Sequence, residues 1–384
     1  MQRSDVLVAG HICLDIIPAL PGTLRFEPGR LVEAGTATLS TGGAVSNTGI
    51  ALARLGAQAS LVGKVGGGVF GRAVLELLEA LSPGASRSMS VTLESSTSYT
   101  IVLSLTGHDR MFLHSPGANA DFCSADVPDE LLHGTRWMHF GYPPLMERMY
   151  SNDGEELRDL FRRARAAGAT TSLDMSSPDP QSPSGQADWG LILSRTLPFV
   201  DFFLPSAEEL LFMLDRPSFE AMAPEDRSRL PLERLEELID RAVDLGASTV
   251  GLKLGSRGFL LRIGAEAAAV GRGSPKWTHW AGSEVWHPCF QVDVAGTTGS
   301  GDATIAGFIL GCLMDMDPVH ACELAVAVGA CCCEAPDALS GVLSLGQTRK
   351  RIEARWQTGP LSEAPGWRSR DRALVKHAGA ATGP

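Results

Sequence analysis

The chain has 384 residues, 44% hydrophobic and 20% charged, which excludes wholesale disorder and suits one large α/β domain or about two smaller ones. Lys and Arg number 33 against 44 Asp and Glu, and the net charge of −11 argues against coating nucleic acid or an anionic membrane. Eight cysteines, three of them consecutive at 331–333 and none in a C-x-x-C pair, fit neither a zinc knuckle nor a disulfide framework; they read as reduced thiols of a cytoplasmic protein. No apolar run nears the ~20 residues of a membrane span.

The first predicted element, Asp5 to Gly10, is an unbroken apolar run closed by glycine, the pattern of a parallel strand buried on both faces. Residues 12–41 follow without helical periodicity and carry a β pattern at Arg30–Leu39. A helix is predicted over Ser46–Leu55, a strand over Ala59–Val65 and a helix over Arg72–Ala80. Residues 96–118 form a second β-rich excursion, with strands at Ser98–Leu105 and Arg110–His114. Paired with each other, the two excursions would make a small flap over one end of a sheet. Further strands are predicted at Trp137–Phe140, Thr170–Leu173, Phe202–Leu204 and Thr249–Leu254, with helices at Glu155–Ala167 and Pro231–Asp244. This alternation predicts an α/β fold with a doubly wound, mostly parallel sheet. Ser176–Gly190 reads as a surface loop and Asp215–Arg229 as a polar excursion. Periodicity fades near Gly359, so one domain over 1–358 and a flexible tail over 359–384 are expected.

Two glycine-rich segments could meet phosphate. Gly66-Gly67-Gly68-Val69-Phe70-Gly71 satisfies G-x-G-x-x-G between a strand and a helix, with Glu94 at the distance of a ribose-binding acid. It lies outside the first β-α unit, however, and Glu94 sits in a Ser/Thr-rich stretch, so a tight turn into the helix is the preferred reading over a nicotinamide site. Thr297-Thr298-Gly299-Ser300-Gly301-Asp302 runs into the apolar stretch Thr304–Met314. Glycines there let N–H groups converge on an anion at a helix start. Asp302 in that place is either a helix N-cap or a base for a hydroxyl attacking a phosphoryl group. Gly42 and Gly43 open another helix, with Asn47 offering both donor and acceptor to a hydroxyl; Asp15 lies just past the first strand, at the edge where α/β ligands bind.

Together these residues resemble the ribokinase-like (PfkB) carbohydrate kinase family over roughly residues 4–356. The matching segments are Gly42-Gly43 with Asn47, Gly63-Lys64-Val65-Gly66, Ser115-Pro116-Gly117-Ala118-Asn119, Leu173-Asp174, Pro205-Ser206 with Glu209, Lys253-Leu254-Gly255 with Gly258, and Thr298-Gly299-Ser300-Gly301-Asp302-Ala303. The resemblance implies a three-layer α/β/α domain with a β-sheet lid and transfer of the ATP γ-phosphoryl group to a sugar hydroxyl with Mg²⁺. It implies Asp302 as general base, Gly299, Ser300 and Gly301 as anion hole, and Asp15, Gly42, Gly43 and Asn47 as sugar-binding residues. Ser206, Glu209, Lys253 and Gly255 would lie at ATP, with Glu209 near the metal through water. A homodimer joined through the lids is expected, with no nucleic acid or membrane partner.

The sequence also departs from the family pattern. Gly296 replaces the acid that commonly helps hold an activating monovalent cation, so potassium dependence does not carry over. Ser206 replaces the usual Asn, Gly67 and Gly68 stand where an acid often follows Gly66, and Thr304 replaces Phe. A nucleoside kinase of the same fold and a non-catalytic sugar or nucleotide sensor are the alternatives; retention of Asp302 and the glycines favours an enzyme.

Overall fold

The computed structural model describes residues 4–20, 28–29, 31–104, 111–265, 271–361 and 365–377. Its strands are β1 (Ser4–Gly10), β2 (Cys13–Pro18), β3 (Ala37–Gly42), β4 (Ala59–Val62), β5 (Lys64–Gly66), β6 (Ser90–Thr92), β7 (Tyr99–Leu103), β8 (Met111–Ser115), β9 (Thr135–Gly141), β10 (Thr170–Asp174), β11 (Phe202–Phe203), β12 (Thr249–Lys253), β13 (Phe259–Ile263), β14 (Glu284–His287), β15 (Arg368–Arg370) and β16 (Ala373–Lys376). Ten of them form one sheet in the order β15-β16-β14-β13-β12-β11-β10-β9-β1-β4. Pairing is parallel from β4 through β12 and antiparallel from there to β15.

Strand β1 shows why the sheet is covered on both sides. Val6 and Val8 join one hydrophobic cluster while Leu7 and Ala9 join the other, so alternate side chains face opposite layers. One layer contains the helices Ala44–Leu55, Ser300–Leu313 and Pro318–Cys333; the other contains Glu155–Ala166 and Leu232–Asp244. In Glu155–Ala166 the buried positions are Leu157, Leu160, Phe161 and Ala164, a stripe at helical spacing with arginines on the opposite face. The three-layer α/β/α architecture is therefore present.

A separate sheet in the order β3-β2-β7-β8 is the flap expected from the two β-rich excursions. Its join is the parallel pairing of β2 with β7. Met111, Phe112 and Leu113 are each more than half exposed on it, whereas Val102 and Leu103 are buried. Leu105, the end of the predicted strand Ser98–Leu105, lies outside the described residues.

One expectation is corrected. The segment beyond 359 is not simply a loose tail, because β16 pairs with β14 and buries Ala373, Leu374 and Val375, with Trp367 beside them. The glycines at 66–71 make the tight turn from β5 into the helix Val69–Leu81 that the sequence favoured over a cofactor loop. A Cβ on Gly66 would sit 2.4 Å from the Ser95 carbonyl oxygen and one on Gly71 would sit 1.8 Å from the Gly66 oxygen, so these glycines allow close packing of backbone on backbone. Glu94 is exposed and outside any strand. None of the eight cysteines is in a disulfide, and five are buried. Among the described residues no helix is long and apolar enough to cross a membrane.

Candidate active site

The parallel strands end on a common edge, and chemistry-bearing residues follow their carboxyl ends, as α/β sheets place ligands. His11 follows β1, Tyr142 follows β9, Asp174 closes β10, Ser206 lies beyond β11 and Lys253 closes β12. A cleft of ≈ 850 Å³ opens there, lined by Tyr142, Ser206, Glu209, Lys253, Gly255, Gly299, Gly301 and Asp302, with Arg229 and Arg257 at its wall.

Asp302 stands in the first turn of the helix Ser300–Leu313 and is 2% exposed. Gly299 is the residue that precedes that helix, so Asp302 is not its N-cap. Its carboxylate accepts from Asn47 Nδ2 at 3.0 Å, the Thr48 hydroxyl at 3.1 Å and the Tyr142 hydroxyl at 2.8 Å. Burial pushes the carboxyl above its ordinary range, while these donors and the Lys253 ammonium oppose that rise.

Gly299 has φ 73°, and a Cβ there would lie 2.4 Å from Ala338 Cβ, so this turn requires glycine twice over. The Ser300 N–H and hydroxyl both donate to the Thr297 carbonyl, at 3.2 and 2.9 Å. The N–H groups of Gly301 and Asp302 follow in the first turn, where a helix offers no carbonyl partner. Lys253 packs over Gly301, since a Cβ at that glycine would be 3.7 Å from Nζ. Its ammonium pairs with Asp174. Burial disfavours the Lys253 charge, yet Asp174, Glu209 and Asp302 together hold its pKa above the ordinary value. Burial likewise drives the Asp174 carboxyl up to about 8 despite Lys253 beside it, and Glu209 and Asp302 add to the rise. Three carboxyl groups, of Asp174, Glu209 and Asp302, thus surround the single ammonium group of Lys253.

Ser206 and Glu209 form a capping box on the helix Ala207–Leu214. The Ser206 hydroxyl accepts from the Glu209 N–H at 3.2 Å, and Glu209 Oε2 accepts from the Ser206 N–H at 2.7 Å. One oxygen of Glu209 is thus engaged in the fold itself.

The lid contributes a polar row. Ser40, Asp15, Thr100 and His114 are directly opposite one another on β3, β2, β7 and β8, so they share one face. His114 lies 5.3 Å from His11 between ring centroids, which turns that face toward the end of β1. Gly42 and Gly43 make the approach possible: a Cβ on Gly42 would be 2.4 Å from an Asp15 oxygen, and one on Gly43 2.5 Å from His11 Nδ1. Burial raises the Asp15 carboxyl and lowers His11 to about 3, leaving that imidazole neutral. Asn47 links this corner to the cleft, since its Nδ2 is held by Asp302 while its Oδ1 is buried without a hydrogen-bond partner among the described residues.

The sequence profile of the pfkB family carbohydrate kinases matches residues 3–344. The chain belongs to that family. It is 27% identical over 335 residues to an ATP-dependent ribose-1-phosphate kinase of Halopiger xanaduensis, covering 85% of this chain and 90% of that one. Identity to fructokinase-2 of Zea mays is 25% over 341 residues, with 85% and 88% covered. The fold matches that of Arabidopsis thaliana ribokinase complexed with ribose and ATP, with a TM-score of 0.70 and 18% identity over 92% of this chain and 99% of that one. The protein is a carbohydrate kinase with the ribokinase-like fold.

Within this PfkB chain, Asp302, Gly299, Gly301, Ser206, Glu209, Lys253 and Gly255 share one cleft. Asp15, Gly42 and Gly43 meet at the lid, and Asn47 bridges the two groups. Tyr142, Thr48, Asp174 and His11 were not singled out as site residues from the sequence. Tyr142 could have been found from its place at the carboxyl end of a predicted parallel strand.

Proposed function

We propose that the protein is an ATP-dependent sugar kinase in which Asp302 is the general base. The observation that carries this reading is a buried carboxylate at a helix start, held by three donors at the edge of a cleft. An acceptor hydroxyl at Asp302 gives up its proton to the carboxylate as its oxygen attacks the γ-phosphorus; the new O–P bond forms, the bond to the β-phosphate bridging oxygen breaks, and ADP leaves. In the Gly299-Ser300-Gly301 cradle the Ser300 N–H is held by Thr297, so the N–H groups of Gly301 and Asp302 and the helix dipole stabilise charge on the transferring group, and Lys253 adds a fixed positive charge beside Gly301. Asp15, Gly42, Gly43 and Asn47 hold the sugar, with the free Asn47 Oδ1 accepting from a hydroxyl. Ser206, Glu209 and Gly255 border ATP.

Mg²⁺ fits the site on the chemistry of its donors, because the carboxyl groups of Glu209 and Asp302 line the same cleft. Among the described residues no set of three or more His, Cys, Asp or Glu could chelate a metal, as expected when Mg²⁺ is held mainly by phosphates and water. Glu209 would reach it through water, and the ion supplies neutralisation of phosphate charge. The experiment is an ADP-release screen of neutral sugars, sugar phosphates and nucleosides with ATP and Mg²⁺. Turnover confined to nucleosides, or none in any class, contradicts the reading.

A further inference from the structure

The donors around Asp302 are unevenly shared between its two oxygens. Oδ2 accepts from Asn47 Nδ2 at 3.0 Å and from the Tyr142 hydroxyl at 2.8 Å, whereas Oδ1 accepts from the Thr48 hydroxyl at 3.1 Å. An ionised carboxylate has about four acceptor directions, two on each oxygen. Among the described residues Oδ2 is therefore filled, and Oδ1 keeps one direction open.

Tyr142 reaches this position through an uncommon backbone. It has φ 67° and ψ 44°, the left-handed region that bulky residues rarely adopt, directly after β9 and before Pro143. Such conformations persist where the surrounding structure holds them, and they cluster at functional sites. The turn leaves the phenol on the cleft wall, its ring 6.1 Å from that of His11.

We propose that Tyr142 is a positioning residue that fills Oδ2 of Asp302 together with Asn47 and so presents Oδ1 to the acceptor hydroxyl. This rests on Asp302 being the base. The charged and titratable groups around Asp302 are Lys253 from β12, Asp174 from β10 and Cys332 from the helix Pro318–Cys333; Glu209 acts on Tyr142, Asp174 and Lys253. Of the groups that oppose the effect of burial on Asp302, Tyr142 is the strongest, ahead of Asn47, Lys253 and Thr48. Removing its hydroxyl raises the proton affinity of the carboxylate.

The test is a ¹³C NMR titration of the full chain labelled at aspartate Cγ, with the Asp302 signal assigned by its absence in Asp302→Asn. Tyr142→Phe is expected to titrate about one unit higher, a tenfold gain in proton affinity. Uniform 3-fluorotyrosine, a stronger donor, is expected to move the same signal down. The chain has three tyrosines, and the other two, Tyr99 and Tyr150, pack on Phe70 and Trp189. If Tyr142→Phe does not fold, the fluorotyrosine arm decides. An Asp302 signal that stays in place in the folded samples overturns the proposal, because a merely structural role changes melting temperature without moving this titration. Failure of the underlying reading shows separately, as full turnover in Asp302→Asn on an acceptor used by the wild type.

Discussion

Gly299 shows how one backbone angle shapes the phosphate cradle. Gly299→Ala must place a Cβ against Ala338 in the left-handed region, whereas Gly255→Ala at φ 56° meets nothing within 4 Å. Both substitutions carry a backbone cost of about 1–2 kcal/mol, but only the first also distorts the helix start. ATP affinity by titration calorimetry should therefore fall about tenfold or more for Gly299→Ala and about threefold or less for Gly255→Ala. Equal losses would separate the cradle from nucleotide binding. His287 makes a prediction about pH. It is fully buried, its Nε2 makes no hydrogen bond among the described residues and lies 4.0 Å from Glu323 Oε1, and burial holds its pKa down to about 4. A histidine whose folded pKa is depressed gives stability that is complete above the unfolded value and is lost as pH falls toward the folded one. Between pH 7 and pH 5 this loss is about 2 kcal/mol. Denaturant melts at the two pH values should show His287→Gln losing that much less than the wild type; parallel losses would contradict the assignment. The site was legible in the sequence where residues lie in glycine-marked motifs, as with Asp302, Asn47 and Gly299. It was not legible at Tyr142 and Thr48, whose roles depend on contacts with a residue 160 and 254 positions away.

At the level of elements, β1, β11 and β12 were legible because burial on both faces writes them as largely apolar runs. The antiparallel edge was hidden for the same physical reason. Strand β14 contains Glu284, buried because Arg262 on β13 and Lys376 on β16 pair with it, so its polarity argues against a strand until its partners are known. The final hairpin follows a stretch rich in Pro and Arg and reads as a tail, yet it covers the edge of β14. Lys376 also reaches Glu236 at 2.7 Å, and Arg372 reaches Glu323 at 2.9 Å. Leu374→Ala should cost about 2–4 kcal/mol, the usual range for emptying a buried leucine site. Truncation after residue 365 should lower the melting temperature or abolish soluble expression. A truncated chain that melts with the wild type would restore the dispensable tail.

For the whole molecule, the lid carries a polar row facing the site, and its edge strand β8 exposes apolar residues on both faces, Phe112 on the face of His114 and Met111 and Leu113 on the other. Such a strand invites pairing with a second copy. A homodimer joined through the lids is the proposed assembly, and light scattering should report about twice the 40.7 kDa chain mass for the wild type. Phe112→Glu should shift it toward the monomer; a monomeric wild type at micromolar concentration would contradict the pairing. The sheet edge and two helix starts converge on Asp302, through Tyr142 and Lys253, Asn47 and Thr48, and its own helix, so its substitution tests the account most directly. Asn keeps the shape and removes a buried charge; its amide oxygen can accept from Asn47 and Tyr142 while its NH₂ donates to the Thr48 hydroxyl, which then turns to accept, so melting temperature and sugar affinity should change little. ADP release from ATP and Mg²⁺, with the sugar that the wild type uses, should fall by about 10²–10⁴ in Asp302→Asn, the range for loss of a positioned general base. Turnover at the wild-type rate in that variant would contradict the account.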